Sequence, residues 1–281
     1  MSKANIILGT CGWSYKEWEG NFYQKRSGQS KLRAYSKVFK TAEIDSTFYR
    51  NPTKGTVMGW LKYSPSDFLF SAKLPKTITH DNMLGLKKEV KSHLEEFLDL
   101  MRPLQLGGKL ACLLIQLPPK YTYNPENLEE FFKMLDPTFR YAVEFRNLTW
   151  LLPETRTFKL LKKYEVAYTI VDEPLLPPEI HLTTDFAYFR WHGKGENIWF
   201  DYRYSEKELD TWIPAVQETS NKVKKIYGYF NNHYHGYAPE NCLQLIEKLG
   251  LITQEQKKAK SKNTVKQSQL GAFFSKTLHR T

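Results

Sequence analysis

Acidic and basic side chains recur at alternate positions along several short apolar runs of this 281-residue chain. Glu43 and Asp45 are two apart, as are Glu144 and Arg146, and Arg190 and His192. Ser71 precedes Lys73, Gln116 closes another run, Asp172 and Glu173 follow a further one, and Asn231 and Asn232 end the last. Residues two apart in a strand share a face, so each pair projects together. Cations such as Lys73, Arg146 and Arg190 hold an anionic group, while a carboxylate or a histidine moves a proton. On this reading the catalytic set is Glu43, Asp45, Lys73, Glu144, Arg146, Asp172 and His192. The substrate is held by Trp13, Tyr15, Tyr49, His80, Gln116, Arg190, Asn231 and Asn232. The same charges also admit a purely structural ion network, which perturbs pKa values without catalysis. His80, His192, His233 and His235 with the carboxylates leave a divalent metal as an option, although no compact ligand pair such as HExxH is present.

A second constellation lies near the C-terminus: Gln267, Leu270, Phe273 and Phe274. Spacing of i, i+3 and i+4 puts the three apolar side chains on one side of a helical turn, a three-pronged plug suited to a partner's groove. The pattern of Gln, two residues, an aliphatic, two residues and two aromatics resembles the sliding-clamp-binding motif of archaeal and eukaryotic replication and repair proteins. That resemblance implies that Gln267, Leu270, Phe273 and Phe274 contact the clamp, PCNA. The rival reading folds this segment back onto the body of the protein.

The elements that must position the first constellation are eight strand-like runs: Ile6–Leu8, Ala42–Asp45, Phe68–Lys73, Leu110–Gln116, Tyr141–Phe145, Ala167–Val171, Ala187–His192 and Tyr227–Asn231. Between them lie amphipathic stretches such as Lys88–Met101, Leu128–Leu135, Thr155–Lys163 and Glu206–Gln217. Strands alternating with helices predict parallel βαβ units. Eight such units in roughly 250 residues, with no Gly-rich fingerprint after the first strand, predict a single α/β domain, a closed (β/α)8 TIM barrel. The barrel covers residues 1–252 and puts the polar strand ends at the mouth, ringed by aromatics. Residues 253–281 read as a flexible Lys-rich linker followed by the clamp-binding tail.

Net charge is +11, and from Thr253 onward seven Lys/Arg face one acid, Glu255, so much of the excess sits in the tail. Such a balance points to a polyanionic partner. DNA, single-stranded or flapped by preference, fits the rim aromatics. No run approaches a membrane span and no leader opens the chain. Three cysteines without metal spacing predict a reducing cytoplasm, nucleoid-associated if the source is archaeal.

The body itself resembles the YecE-like domain-of-unknown-function family. The resemblance rests on GTCGWSYKEWEGNFY (9–23), EIDSTFYR (43–50), FSAKLPKTITH (70–80), LIQLPP (114–119), YAVEFRNLTW (141–150), YFRWHG (188–193) and YFNNHYHGYA (229–238), in that order. It implies a (β/α)8 barrel with these motifs at the strand ends, and little about mechanism. Cys11 departs from the small Ser common at that place, and the clamp motif belongs to this chain rather than to the family. Together the two constellations predict a clamp-bound barrel that processes DNA, as a nuclease or other phosphodiester hydrolase. The alternatives are a non-enzymatic clamp-bound accessory protein, or a sugar-type small-molecule enzyme with an incidental tail.

Overall fold

Eight parallel strands close on themselves in chain order in the computed structural model: β1 (Asn5–Cys11), β2 (Thr41–Ile44), β3 (Leu69–Lys73), β4 (Leu110–Gln116), β5 (Tyr141–Glu144), β6 (Val166–Asp172), β7 (Phe186–Trp191) and β8 (Lys225–Phe230). The seam pairs Asn5 with Lys225 through Thr10 with Phe230. At Gly9 a Cβ would lie 2.1 Å from the carbonyl oxygen of Thr41, so β1 and β2 approach as only glycine allows. The structure describes residues 3–25, 28–85 and 88–261; the clamp-motif residues Gln267, Leu270, Phe273 and Phe274 lie outside the described residues.

Helices wrap the barrel as α1 (Lys31–Tyr35), α2 (Lys54–Tyr63), α3 (Lys88–Leu106), α4 (Pro125–Lys133), α5 (Thr157–Lys163), α6 (Glu206–Ser220) and α7 (Tyr237–Lys248). The expected alternation fails once: residues 173–185, between β6 and β7, form no helix. Among the described residues no helix is long and apolar enough to cross a membrane.

Strand alternation sorts the two faces. Outward side chains such as Val143, Tyr168, Ile170, Phe189 and Phe230 pack under the helices in the main core. Inward ones, including Leu114, Ala142, Ala167, Phe186, Tyr188, Tyr227 and Tyr229, fill the lumen. Halfway up, the lumen turns polar: Tyr229 Oη lies 2.8 Å from both Thr41 Oγ1 and Ser71 Oγ.

One correction concerns the linker. Residues 254–261, expected to be flexible, form a further helix, α8. Thr253 and Gln256 cap it reciprocally, through Gln256 N–H to Thr253 Oγ1 and Thr253 N–H to Gln256 Oε1. The Gln256 amide donates to the Val38 carbonyl at 2.9 Å, and Ala259 packs on the main core.

Candidate active site at the barrel mouth

The inward positions nearest the C-terminal strand ends carry Glu43 (β2), Glu144 (β5) and Arg190 (β7), all fully buried. Arg190 bridges the two carboxylates, donating from Nη2 to Glu43 Oε1 at 2.7 Å and from Nη1 to Glu144 Oε2 at 2.6 Å. Tyr188 Oη and Cys11 Sγ also donate to Glu43, at 2.7 and 3.2 Å. Burial, reinforced by Glu43, pushes the Cys11 thiol up, so it stays protonated and is not a nucleophile.

One layer higher, Arg146 Nε donates to Glu144 Oε1 at 2.5 Å, and Arg146 Nη1 pairs with Glu173 Oε2. Arg146 Nη2 lies 3.0 Å from His192 Nε2. Burial, with Arg146 beside it, pulls the His192 imidazole down to about 3. A neutral ring that accepts from Arg146 at Nε2 carries its proton on Nδ1, which lies 2.9 Å from the Asn231 amide. The Asn231 amide nitrogen is the atom that faces Nδ1, so the amide has to turn over for its oxygen to accept that proton.

Three carboxylates surround two guanidiniums, so one is in excess. Burial works against the charge on Glu144, but Arg146 and Arg190 outweigh it and hold that carboxyl well below the usual range. Glu173 is ion-paired with Arg146, and burial, with Glu144 nearby, raises it to about 7. Two neighbouring carboxylates are thus driven apart, one ionised and one poised to exchange a proton near neutrality.

The mouth continues outward through Lys73, whose Nζ sits 4.3 Å from the Phe48 ring centroid, and His80, whose ring meets the edge of Phe48. His80 is carried by a π-helical turn, Thr77–Asp81, a local distortion frequent at functional sites. Burial, with Lys73 nearby, lowers it to about 4. Tyr15 donates to Asp45 at 2.8 Å and stacks on His233. Gln116 lies at 3.5 Å from Arg190, and Tyr49 stands 74% exposed on the rim. The loop after β7 turns at Gly193, where φ is +91° and a Cβ would lie 2.4 Å from the Trp199 carbonyl. This turn brings Trp199 to the Arg146 guanidinium and Phe200 within 6.1 Å of His192.

Three expected site residues do not join this cluster. Asp172 shares the parity of Val166, Tyr168 and Ile170 and so faces the helices, accepting from Trp212 Nε1 at 3.3 Å and pairing with Lys194. Glu173, the next residue, enters the mouth in its place. Asn232 likewise points outward, bonded to Asn241 of α7 and the Tyr202 carbonyl, whereas Asn231 points in. Trp13 packs on Trp60 of α2 and on Phe70. Alternation run past the last hydrogen-bonded residue of β6 and β8 identifies Glu173 and Asn231; that signal was in the sequence.

Glu144, Glu173 and His192 present ligand atoms within 4.8 Å of one another, a donor set of the kind transition metals take. Arg146 already engages Glu144 Oε1, Glu173 Oε2 and His192 Nε2. A divalent cation there would have to expel one guanidinium and sit beside another, so the group fits an ion network better than a metal centre.

Comparison with known proteins places this arrangement in a family. The model of a family described as "Protein of unknown function DUF72" matches residues 7–267. The chain belongs to the DUF72 family. The UPF0759 protein YunF of Bacillus subtilis (strain 168) is 27% identical over 270 residues, 88% of this chain and 95% of YunF. The UPF0759 protein YecE of Escherichia coli (strain K12) is 30% identical over 145 residues, about half of each chain. Among solved structures, a DUF72 family protein from Thermotoga maritima MSB8 superposes with a TM-score of 0.77 at 32% identity, covering 88% of this chain and 99% of that one. One from Enterococcus faecalis V583 gives 0.76 at 26%, covering 89% and 97%. The DUF72 match confirms the expected YecE-like barrel, and Glu144, Arg146, Arg190 and His192 all lie within the matched residues.

Proposed function

We propose that this DUF72 chain is a barrel enzyme that works at the DNA sliding clamp. Gln267, Leu270, Phe273 and Phe274 dock on PCNA, and the barrel mouth processes DNA by proton transfer, with Glu173 as the acid–base group. One observation carries the enzymatic half: around Arg146, Glu144 is held ionised while Glu173 is raised to about 7. A proton carrier matched to neutral pH beside a fixed negative charge is what general acid–base catalysis requires. The DNA half is supported by Arg50, Lys76 and Lys120, exposed on the loops after β2, β3 and β4, and by Tyr49, able to stack on an unpaired base. The clamp half rests on the four tail residues.

The test is conversion of flapped, gapped, abasic and blunt DNA loaded with PCNA by the full-length chain. Product should form with a pH profile turning near 7, and Glu173→Gln should lower turnover by ~100-fold or more while DNA binding persists. Wild-type protein that converts none of these DNAs would overturn the reading. A second reading, a small hydroxylated substrate unconnected with DNA, draws on the pairing of Arg146 and Arg190 with carboxylates, which leaves them little charge to offer a phosphate.

A further inference from the structure

Lys73 is chemically unlike the other two cations of the mouth. Arg146 and Arg190 are ion-paired with Glu43, Glu144 and Glu173. Among the described residues Lys73 Nζ has no ion pair and no hydrogen bond; it lies over the face of Phe48, 4.3 Å from the ring centroid. It stands at the last inward position of β3, partly buried. Of these three cations only the lysine amine can become a nucleophile by losing a proton, since a guanidinium keeps its charge.

We propose that Lys73 is a nucleophilic amine that forms an imine with an aldehyde substrate, and that the aldehyde is the opened sugar of an abasic site in DNA. The amine nitrogen attacks the carbonyl carbon, giving a carbinolamine. Its hydroxyl, whose hydrogen came from the amine, takes one proton from an acid and leaves as water. The protonated imine acidifies the neighbouring carbon, and proton loss there expels the 3′ phosphate. Water then restores amine and aldehyde, so no oxidant or reductant is consumed.

The surroundings favour the free amine. Burial, with Arg190 and Arg146 nearby, lowers Lys73 to about 8 against the pull of Glu43 and Glu144. At pH 7 about a tenth of the molecules then carry a neutral amine, against well under a hundredth for an ordinary lysine. Its aromatic neighbour excludes water from one side.

This inference rests on the DNA-processing reading above, and one experiment separates their failures. Full-length protein is incubated with borohydride and either an abasic-site oligonucleotide or glyceraldehyde, and adducts are mapped by mass spectrometry. An adduct on Lys73 with abasic DNA, reduced at least tenfold in Lys73→Arg, is the expected result. Trapping on Lys73 by glyceraldehyde alone would retain the imine and remove DNA as its source. Equal trapping in wild type and Lys73→Arg, or adducts confined to other lysines, would overturn the proposal. Because Arg keeps the charge over Phe48, an unchanged melting curve shows that the variant is folded.

Discussion

Glu144 accepts from Arg146 and Arg190 in a fully buried setting. Replacing it by Gln strands two guanidiniums, and removing one partner of a buried ion pair costs about 3 kcal/mol or more. Glu144→Gln is therefore expected to melt well below the parent at pH 7. The pH dependences of the two carboxylates have opposite signs. The depressed Glu144 contributes stability above the ordinary carboxylate value and loses it as pH falls, so the gap between Glu144→Gln and parent narrows in acid. Glu173 keeps its proton to about 7 in the native state, against 4.5 ordinarily. Stability from this group thus declines as pH rises through that window and is flat above it. Thermal melts at several pH values should show that Glu173→Gln lacks this decline; an unaltered slope would put the proton elsewhere. Most of the site was legible in the residues because strand parity is a strict two-residue alternation. Glu43, Glu144, Arg146, Arg190, His192 and Asn231 all point as alternation requires. Asp172 was misplaced because two acids are adjacent at the strand exit, and only alternation continued from Val166 separates them. An ion network was one of the two readings these charges allowed; which carboxylates Arg146 and Arg190 pair with was not legible, since pairing across the lumen depends on the stagger between strands.

At the scale of elements, eight strands and most helices follow from apolar periodicity, with ends displaced by a few residues. The expected strand Ile6–Leu8 extends to Asn5–Cys11, and polar Thr10 within it is satisfied by Tyr35 of α1. The missing helix after β6 carried no signal beyond its prolines, Pro174, Pro177 and Pro178. Helix α8 was misread from its charge: a Lys-rich run looks unfoldable, yet Thr253 and Gln256 spell a capping box. A chain ending at residue 252 should melt lower than one ending at 261. Loss of the cap, the Gln256–Val38 hydrogen bond and the Ala259 contact should cost about 1–2 kcal/mol, at ~2–4 °C for each. Identical melting temperatures for the two chains would show α8 to be energetically idle.

For the whole molecule, the tail peptide 266–281 is expected to bind an archaeal or eukaryotic-type clamp at ~1 μM, about 8 kcal/mol from three apolar anchors and one polar contact. Phe273→Ala or Leu270→Ala in the full chain should weaken this at least tenfold in calorimetry and leave barrel melting unchanged; parental affinity in both variants would remove the clamp from the account. The place of α8 then sets an orientation. Val38, which receives Gln256, precedes β2 and therefore lies at the N-terminal ends of the strands, on the floor of the barrel. If the tail docks on a clamp as proposed, its connection leaves from that floor, and a chain of six residues, 262–267, spans at most about 20 Å. A domain of this length has a radius of gyration of roughly 18 Å and is on the order of 45 Å across. A ring gripped by Phe273 and Phe274 would thus sit behind the barrel, with Glu173 and Lys73 facing away from it. DNA threaded through the bore would lie out of reach, and strands swung outward past the rim would be the ones presented to the mouth.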